Sequence, residues 1–469
     1  MNELLAIMKQ ELLLTGTLLL VLVLKLAGMP SSNNKWNGWM QFLLLANLIG
    51  GWIGNVSGNL FGDMYVTDPS LVLQKNLLLL ATLVIVSLST TWLERHRHLP
   101  EFYLLLLSTL LGMFWMISSR NLLMFYLSLE LATIPLAAMV NFDLGKRISS
   151  EAAMKMVLSS ALASGLLLFG VSLIYGATGT LSISEAYQGG ASEPILTMGF
   201  LFFLSGFFFK LSVVPFQFWT PDVYEGAPIP VTAYLSVVSK GAMVFVLGSQ
   251  LNTAFQSFSP VWYELITWGA ILTMTVGNLM AIRQDQLKRF LAFSSMAQVG
   301  YLLIGVSASS AAGDASVLYF LLVYLFSNLA AFGVLGLVSG STGCERISDL
   351  RGFSRKPPFL AWSLAIALFS LAGIPPTAGF FGKFFLLTAG AAKGNYLIIT
   401  LASLNMIVSL YYYLRVVRAM FMERTDRPLG AIASPGSSHL ALAICLLMIL
   451  LAGVASPVYN YFYHAANGI

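Results

Sequence analysis

The chain has 469 residues, of which 57% are hydrophobic and only 10% are charged, and its mean hydropathy is +0.80. This composition excludes an ordinary soluble globular protein. The formal net charge of +5 comes from basic residues scattered over short loops, and such a pattern excludes a nucleic-acid-binding face. The two cysteines, Cys344 and Cys445, form no CxxC pair, so we expect neither a disulfide framework nor an iron-sulfur site.

Repeated apolar runs, separated by charged or Pro/Gly-rich breaks, predict an all-α polytopic membrane protein with about 14 transmembrane helices. Continuous runs of this kind exclude an outer-membrane barrel, whose strands alternate between polar and apolar residues. The predicted spans are 11–28, 39–58, 74–93, 102–118, 120–140, 152–176, 196–218, 229–251, 261–281, 289–307, 316–339, 360–391, 395–420 and 438–462.

The orientation follows from the basic residues of the loops. Most of them, Arg95, Lys146 and Arg351 among them, fall in odd-numbered loops. The positive-inside rule predicts that these loops are cytoplasmic and that both termini lie on the other side of the membrane. No small-residue cleavage site follows the first apolar run, so we expect this run to be retained as a span.

Two of the predicted spans contain helix breakers beside a lysine. In the seventh span Lys210 is followed by Pro215, and in the twelfth the stretch LAGIPPTAGFFGKFF places Pro375 and Pro376 close to Lys383. Proline removes a backbone donor, and a membrane tolerates such a break only where protein or a wet cavity satisfies the freed carbonyls. Broken helices 7 and 12, five spans apart, predict inverted five-helix repeats.

This pattern divides the single membrane domain, 1–469, into four parts. They are an N-terminal three-helix segment (1–100), a first repeat (101–251), a second repeat (252–425) and a C-terminal helix (426–469).

Four charged residues near the middle of spans are the candidate functional groups: Glu130, Lys210, Lys240 and Lys383. A lysine at the centre of a spanning helix costs about 2.5–3.5 kcal/mol on insertion scales, so it is expected to face a partner or a hydrated cavity. We interpret the four residues as a line along which protons move. A conformational change that separates Glu130 from Lys210 would then release a proton towards Lys240. In the structural alternative, each lysine only binds helix-end carbonyls.

Lys155 is a further candidate with two open interpretations. It lies four residues after Glu151, a spacing that puts both side chains on one helix face. The pair is either part of a proton path or an ordinary interfacial ion pair.

Polar and aromatic groups of the later spans are less specific. Ser294, Ser295 and Gln298 line either a hydrated path or interhelical hydrogen bonds, and the run of three tyrosines at 411–413 is predicted to be packing.

Three stretches carry a family resemblance: FKLSVVPFQFWTPDVYEGAPIPVTAYLSVVSK, RFLAFSSMAQVGYLLIG and SLAGIPPTAGFFGKFFLL. They closely resemble the antiporter-like N subunits of respiratory complex I, NADH-quinone oxidoreductase. The loop WTPDVYEGAP is typical of these subunits and their photosynthetic relatives, whereas the sister L and M subunits usually have PDAH there. The resemblance covers most of the chain. It implies a proton-translocating translocase subunit without redox chemistry of its own, driven by electron transfer from NADH to quinone elsewhere.

Matched position by position, the resemblance implies Glu130 and Lys210 as a coupling pair, Lys240 as central relay, Lys383 as terminal base and Lys155 as a further lysine of the path. It also implies that FMN, iron-sulfur clusters and quinone reside in partner subunits, and that this chain binds no cofactor or metal. The implied partners are the M, L, K, J, A and H membrane subunits and the peripheral redox subunits, in a bacterial inner membrane with periplasmic termini.

The sequence departs from the family at two positions. Gln217 and Gln298 stand where family members often have histidine, and glutamine cannot carry a proton. A sodium/proton antiporter subunit and a subunit of a hydrogenase- or ferredoxin-linked pump remain as alternatives. The TPDVYEGAP loop weighs against the antiporter.

Overall fold

The computed structural model describes residues 2–29, 32–54, 56–185, 194–355, 357–425, 432, 435–454 and 456–466. Helices account for nearly all of the regular structure. They are α1 (Asn2–Ile7), α2 (Lys9–Leu26), α3 (Asn33–Trp52), α4 (Pro69–Leu88), α5 (Thr90–Arg95), α6 (Leu99–Ser118), α7 (Leu122–Val140), α8 (Arg147–Thr178), α9 (Pro194–Leu211), α10 (Trp219–Gly226), α11 (Ile229–Tyr234), α12 (Lys240–Thr253), α13 (Ser259–Ile282), α14 (Leu287–Ser307), α15 (Ala311–Thr342), α16 (Pro358–Ala372), α17 (Ala378–Ala391), α18 (Tyr396–Phe421), α19 (Gly436–Val454) and α20 (Ser456–Ala466).

Short elements complete the described fold. A π-helical turn, Leu235–Ser239, joins α11 to α12, and 3₁₀ turns occupy Gln256–Phe258, Ile347–Leu350 and Phe353–Arg355. Strands β1 (Gly58–Leu60) and β2 (Tyr65–Thr67) form one antiparallel hairpin between α3 and α4.

The predicted all-α membrane fold is confirmed. In the described part of the chain, eleven helical segments are long and apolar enough to cross a membrane, with α11, the π turn and α12 counted as one. Helices α2 and α3, and the pair α16 and α17, complete the predicted fourteen crossings. Helices 7 and 12 are broken, as predicted: α9 is followed by the separate short helix α10, and α16 by α17.

The predicted bounds of the second and third spans are wrong. Spans were expected at 39–58 and 74–93, whereas the helices are Asn33–Trp52 and Pro69–Leu88. Asp68 caps α4 by accepting a hydrogen bond from the Leu71 N–H, and Pro69 occupies the first turn. A capping Asp followed by Pro is a helix-start signal in the sequence. Because α4 begins five residues earlier than 74, Lys75 lies inside the membrane crossing.

The predicted C-terminal span, 438–462, falls on α19 (Gly436–Val454) and α20 (Ser456–Ala466), and residue 455 between them lies outside the described residues. Residue 426, where the predicted C-terminal segment begins, lies outside the described residues. The four-part division of the chain stays a prediction.

The centre of the bundle consists of α12, α14 and α15, whose side chains are almost all buried. Helices at the periphery instead expose apolar side chains outward, as Leu158 and Leu162 of α8 do at 67% and 69% exposure. An apolar exterior around a buried centre suits a lipid-facing bundle. The polar residues of α12 and α14 are therefore enclosed by protein, and their hydrogen bonds have to be made inside the bundle.

Candidate proton path

The first broken helix ends at Lys210 and Leu211. The chain then turns at Ser212, whose φ is +63°, and resumes helix at Trp219. The indole Nε1 of Trp219 donates to the Phe209 carbonyl at 2.9 Å, so protein satisfies one of the carbonyls that the break frees. This is the condition under which a membrane tolerates such a break.

Lys210 is held by two hydroxyl groups. Its Nζ donates to Thr133 Oγ1 and to Ser160 Oγ, both at 2.8 Å. Glu130 lies one turn before Thr133 on α7, and its charge acts on Lys210. The two charged groups form no direct ion pair in this structure, and the Oε1 of Glu130 is buried without a hydrogen-bond partner. The predicted coupling pair is thus an interaction across space.

Lys240 lies at the centre of the bundle, and its side chain is 2% exposed. The Nζ donates to Ser295 Oγ at 2.6 Å and lies 5.5 Å from the centre of the Tyr224 ring. Lys240 follows directly on the π turn Leu235–Ser239. Such wide turns are rare and occur often at functional sites. The sequence did not predict this π turn, because a run of mainly apolar residues is compatible with both an α-helical and a π-helical turn.

Lys383 is fully buried one turn after the second break. Its Nζ donates to the carbonyls of Leu371 at 2.8 Å and Ala372 at 3.3 Å, and lies 4.6 Å from the Tyr301 ring centre. These carbonyls belong to the end of α16, where Gly373 turns the chain with φ +85°. A charged lysine thus satisfies the freed carbonyls, as the structural alternative also expects.

Hydrogen bonds through one tyrosine connect the surroundings of Lys240 with those of Lys383. Ser294, next to Ser295 on α14, bonds the Tyr413 hydroxyl at 2.5 Å. The Nε2 of Gln298 donates to the same hydroxyl at 3.1 Å and to the Leu371 carbonyl at 3.1 Å. We call Ser294, Tyr413 and Gln298 the tyrosine bridge. It ends on the carbonyl that Lys383 binds.

The three tyrosines that were predicted to be packing differ in their surroundings. Tyr412 and Tyr413 are fully buried and hydrogen-bonded, Tyr412 to Asn278 Oδ1 at 2.9 Å. Tyr411 is 63% exposed on the outer face of α18. The 3.6-residue period separates these roles, because neighbours in a helix point in different directions.

A cavity of about 370 Å³ opens beside the basic loops. Its charged lining residues are Arg95, Asp143, Lys146, Glu225, Lys288 and Glu345. Leu329 also lines it, and the adjacent Asn328 donates from Nδ2 to Ser236 Oγ at 2.7 Å. Ser236 bonds the Tyr324 hydroxyl at 2.9 Å, and that hydroxyl also lies close to Ser295. Hydrogen-bonded polar side chains thus lead from Asn328, next to the cavity-lining Leu329, to the serine that Lys240 binds.

Lys155 lies at the exposed end of α8, and its side chain is 44% exposed. The predicted pair with Glu151 is present at 2.9 Å, and Asp222, in the first turn of α10 within the WTPDVYEGAP stretch, accepts a second hydrogen bond at 2.8 Å. Burial alone would raise the pKa of the Asp222 carboxyl, but hydrogen bonds from Lys155 and Arg289 outweigh it and lower this pKa. The structure places Lys155 in a partly exposed ion-pair network with Glu151 and Asp222. Its role in proton transfer stays a prediction.

A buried ion pair in the N-terminal helices was missed by sequence reasoning. Lys75 Nζ lies 2.6 Å from Glu11 Oε1, and both side chains are almost fully buried. Beside it, Gln10 Nε2 donates to Asn76 Oδ1 at 2.8 Å. The predicted spans began at 11 and 74, so both charges were placed at membrane edges. The Asp68–Pro69 helix start would have moved Lys75 inside.

The two glutamines at family histidine positions differ in their surroundings. Gln298 belongs to the tyrosine bridge, whereas Gln217 lies in the first break with its Oε1 buried and unpartnered. Among the residues that the structure describes, no three His, Cys, Asp or Glu side chains converge to hold a metal ion.

Comparison with known proteins agrees with this geometry. Residues 119–409 match the family model described as "NADH:quinone oxidoreductase/Mrp antiporter, TM". The chain is 44% identical to NADH-quinone oxidoreductase subunit N of Azobacteroides pseudotrichonymphae over 417 residues, 88% of this chain and 87% of that protein. It is 42% identical to the subunit N of Phocaeicola vulgatus over 462 residues, 97% of each chain.

Solved structures show the same fold. A chain of respiratory complex I from Thermus thermophilus with bound aureothin superposes with a TM-score of 0.77 at 30% identity, covering 96% of this chain and 98% of that one. A chain of the Mrp complex from Dietzia sp. superposes with a TM-score of 0.87, covering 98% and 96%, but at 21% identity shows the fold alone.

The fourteen crossings, the two broken helices and the enclosed lysines define the class of antiporter-like, proton-translocating membrane subunits. Within that class the extent of the matches decides the family. The chain belongs to the N subunits of NADH-quinone oxidoreductase.

Proposed function

We propose that this chain translocates protons as a non-redox membrane subunit of an NADH-quinone oxidoreductase. Electron transfer from NADH to quinone takes place in other subunits of the complex, which hold the FMN and iron-sulfur clusters. The chain itself supplies Glu130, Lys210, Lys240 and Lys383. The observation that carries the proposal is the closeness in the fold of two buried lysines and their hydrogen bonds. Lys240 donates to Ser295, and the neighbouring Ser294 begins the tyrosine bridge, which ends on the Leu371 carbonyl that Lys383 also binds.

Protons enter from the cavity beside the basic loops. Its charged lining allows water, and Asn328, Ser236 and Tyr324 connect it to Ser295 and Lys240. The positive-inside rule makes this the cytoplasmic side, with both termini on the periplasmic side of a bacterial inner membrane. The direction of transfer is therefore outward.

The step that couples the path to its driving force is at Glu130 and Lys210. A carboxylate near an ammonium group favours its charged form, and moving the carboxylate away favours release of the proton. Glu130 is poised for such a change, because it already lacks a direct partner and interacts with Lys210 only across space. A small shift of α7 relative to α9 changes the proton affinity of Lys210.

Transfer from Lys240 to Lys383 uses the tyrosine bridge. Hydroxyl groups both donate and accept hydrogen bonds, whereas the Gln298 side chain holds the Tyr413 hydroxyl in place without carrying a proton. Water beside Ser294 and Tyr413 would complete the connection. Two buried ammonium groups repel each other, so protonation of Lys383 disfavours a second proton on Lys240.

The partners of the chain follow from the same proposal. They are the other membrane subunits of the complex, the peripheral subunits that oxidise NADH, and the lipid around the exposed apolar faces of helices such as α8. Lys155 and Asp222 belong to the ion-pair network on the side of the basic loops. We keep Lys155 as a proposed member of the path.

The proposal is tested on the purified complex in liposomes, with NADH as donor, by measuring proton uptake with and without sodium. We expect uptake that does not depend on sodium and that is lost in Lys383→Met. Lys393→Met, an exposed lysine just beyond α17, is the control and keeps uptake. Uptake that requires sodium, or normal uptake in Lys383→Met, contradicts the proposal.

A further inference from the structure

A second polar cavity, of about 310 Å³, lies at the opposite end of the bundle from the basic loops. Helix α4 shows the separation: Leu71, near its start, lines this cavity, whereas Leu88, its last residue, lines the cavity beside the basic loops. The second cavity is enclosed by α4, α12, α14 and α15. The proton path proposed above does not include this cavity.

The floor of this cavity lies close to Lys240. Val244, which is fully buried, lines the cavity and follows Lys240 by four residues on α12. Residues four apart lie on the same face of a helix, about 6 Å apart along its axis. Gly248 and Ser249, a turn further on, also line the cavity. One turn of α12 therefore separates the cavity from the central lysine.

The lining carries charges that suit a proton outlet. Asp314, in the first turn of α15, and Asp68 supply carboxylates, and Arg120 Nη1 donates to Ser249 Oγ at 3.0 Å while its charge interacts with Asp68. A cavity with polar walls and this volume holds several water molecules. The fixed charge of Arg120 disfavours a proton that rests in the cavity, and the carboxylates pass protons to bulk water.

We propose that this cavity is the outlet through which protons from Lys240 leave on the side of the membrane where α2 begins; this rests on the proton translocation proposed above. Water that enters from the cavity past Val244 accepts the proton of the Lys240 ammonium, which becomes a neutral amine. The proton then reaches the Asp314 carboxylate and is released from it to bulk water. The outlet thus lies at the end of α12 and not at the second broken helix: a proton that the tyrosine bridge has passed to Lys383 repels the next proton on Lys240 towards the outlet.

Cysteine accessibility tests this assignment. In the complex carrying Cys344→Ser and Cys445→Ser, Val244→Cys and Ser249→Cys are treated with a membrane-impermeant anionic methanethiosulfonate in sealed vesicles of each orientation. Val246→Cys is the matched control, because Val246 is 2% exposed on the same helix but does not line the cavity. If Ser249→Cys does not assemble, Thr253→Cys at the exposed rim replaces it.

We expect both cavity positions to react only from the side where α2 begins, and the control to stay unlabelled. Labelling should lower the proton-to-electron ratio, and a thiol reductant should restore it. The assignment is overturned if Val244→Cys is unreactive, if it reacts only from the side of the basic loops, or if labelling leaves the ratio unchanged. If any of these results is obtained while Lys383→Met still abolishes pumping, the assignment of the outlet is wrong but the proposed function stands.

Discussion

The two broken helices hold their lysines in different ways. At the first break, Lys210 precedes the interruption, and hydroxyl groups of Thr133 and Ser160 hold its Nζ while the Glu130 carboxylate acts from a distance. At the second, Lys383 follows the interruption and itself satisfies the freed carbonyls of α16. A carboxylate that moves can change the charge of the first lysine. The charge of the second lysine depends instead on its burial and on the protonation of neighbouring groups.

The two broken helices therefore have different roles in the proposed path. The first break is where a conformational change in the complex can act, because the Glu130–Lys210 interaction spans two helices, α7 and α9. The second break is a fixed receiver at the end of the tyrosine bridge. Lys240 lies between them and has only neutral partners, the Ser295 hydroxyl and the Tyr224 ring.

The largest effect is expected from the carboxylate that distinguishes the first break. Glu130→Gln keeps the shape of the side chain but removes the charge that acts on Lys210, so proton translocation should fall by about tenfold or more, the change given by 1.4 kcal/mol of barrier. The measurement is NADH-driven proton uptake per electron in proteoliposomes. Glu264→Gln, which removes an exposed carboxylate on α13, is the control and should change little.

An intermediate effect is expected in the tyrosine bridge. Tyr413→Phe removes the hydroxyl that joins Ser294 to Gln298, and the loss of its two hydrogen bonds, at about 1 kcal/mol each, predicts a decrease in pumping of roughly fivefold or more. Tyr411→Phe removes a hydroxyl from the exposed neighbour and should pump normally. Equal rates in the two variants would show that the bridge is interhelical packing only.

The smallest effect on pumping, but a large one on stability, is expected at the Glu11–Lys75 pair. Lys75→Met leaves a buried carboxylate unpaired, which costs about 3 to 5 kcal/mol, whereas Glu11→Gln with Lys75→Met restores a neutral interior. The single variant should unfold at a lower temperature in detergent, and the double variant should recover. Both should keep the wild-type proton-to-electron ratio once assembled. A lowered ratio in the stable double variant would place the pair on the proton path.

The sequence predicted those site residues that are charged, or are prolines, within an otherwise apolar run. Glu130, Lys210, Lys240 and Lys383 stand out because each interrupts a span, and the two breaks follow from Pro215 and from Pro375 with Pro376. These signals are local, so they can be recognised without the tertiary structure.

The remaining features depend on which helices pack together. The tyrosine bridge joins α14 to α18, residues far apart in the chain, and serine, glutamine and tyrosine in apolar helices are common in packing. Glu11 and Lys75 were missed because their spans were placed two and five residues too late, so that both charges fell at predicted span ends. The π turn before Lys240 leaves no mark in an apolar sequence, and both cavities arise from the packing of several helices.

Lys240 carries the proton from the first broken helix to the second. The most direct measurement is the proton-to-electron ratio of the reconstituted complex with Lys240→Met, beside the exposed-lysine control Lys393→Met. We expect an assembled complex whose pumping or coupled turnover is lost, while the control retains both. An unchanged ratio in an assembled Lys240→Met complex would contradict it and leave the buried lysines as structural hydrogen-bond donors.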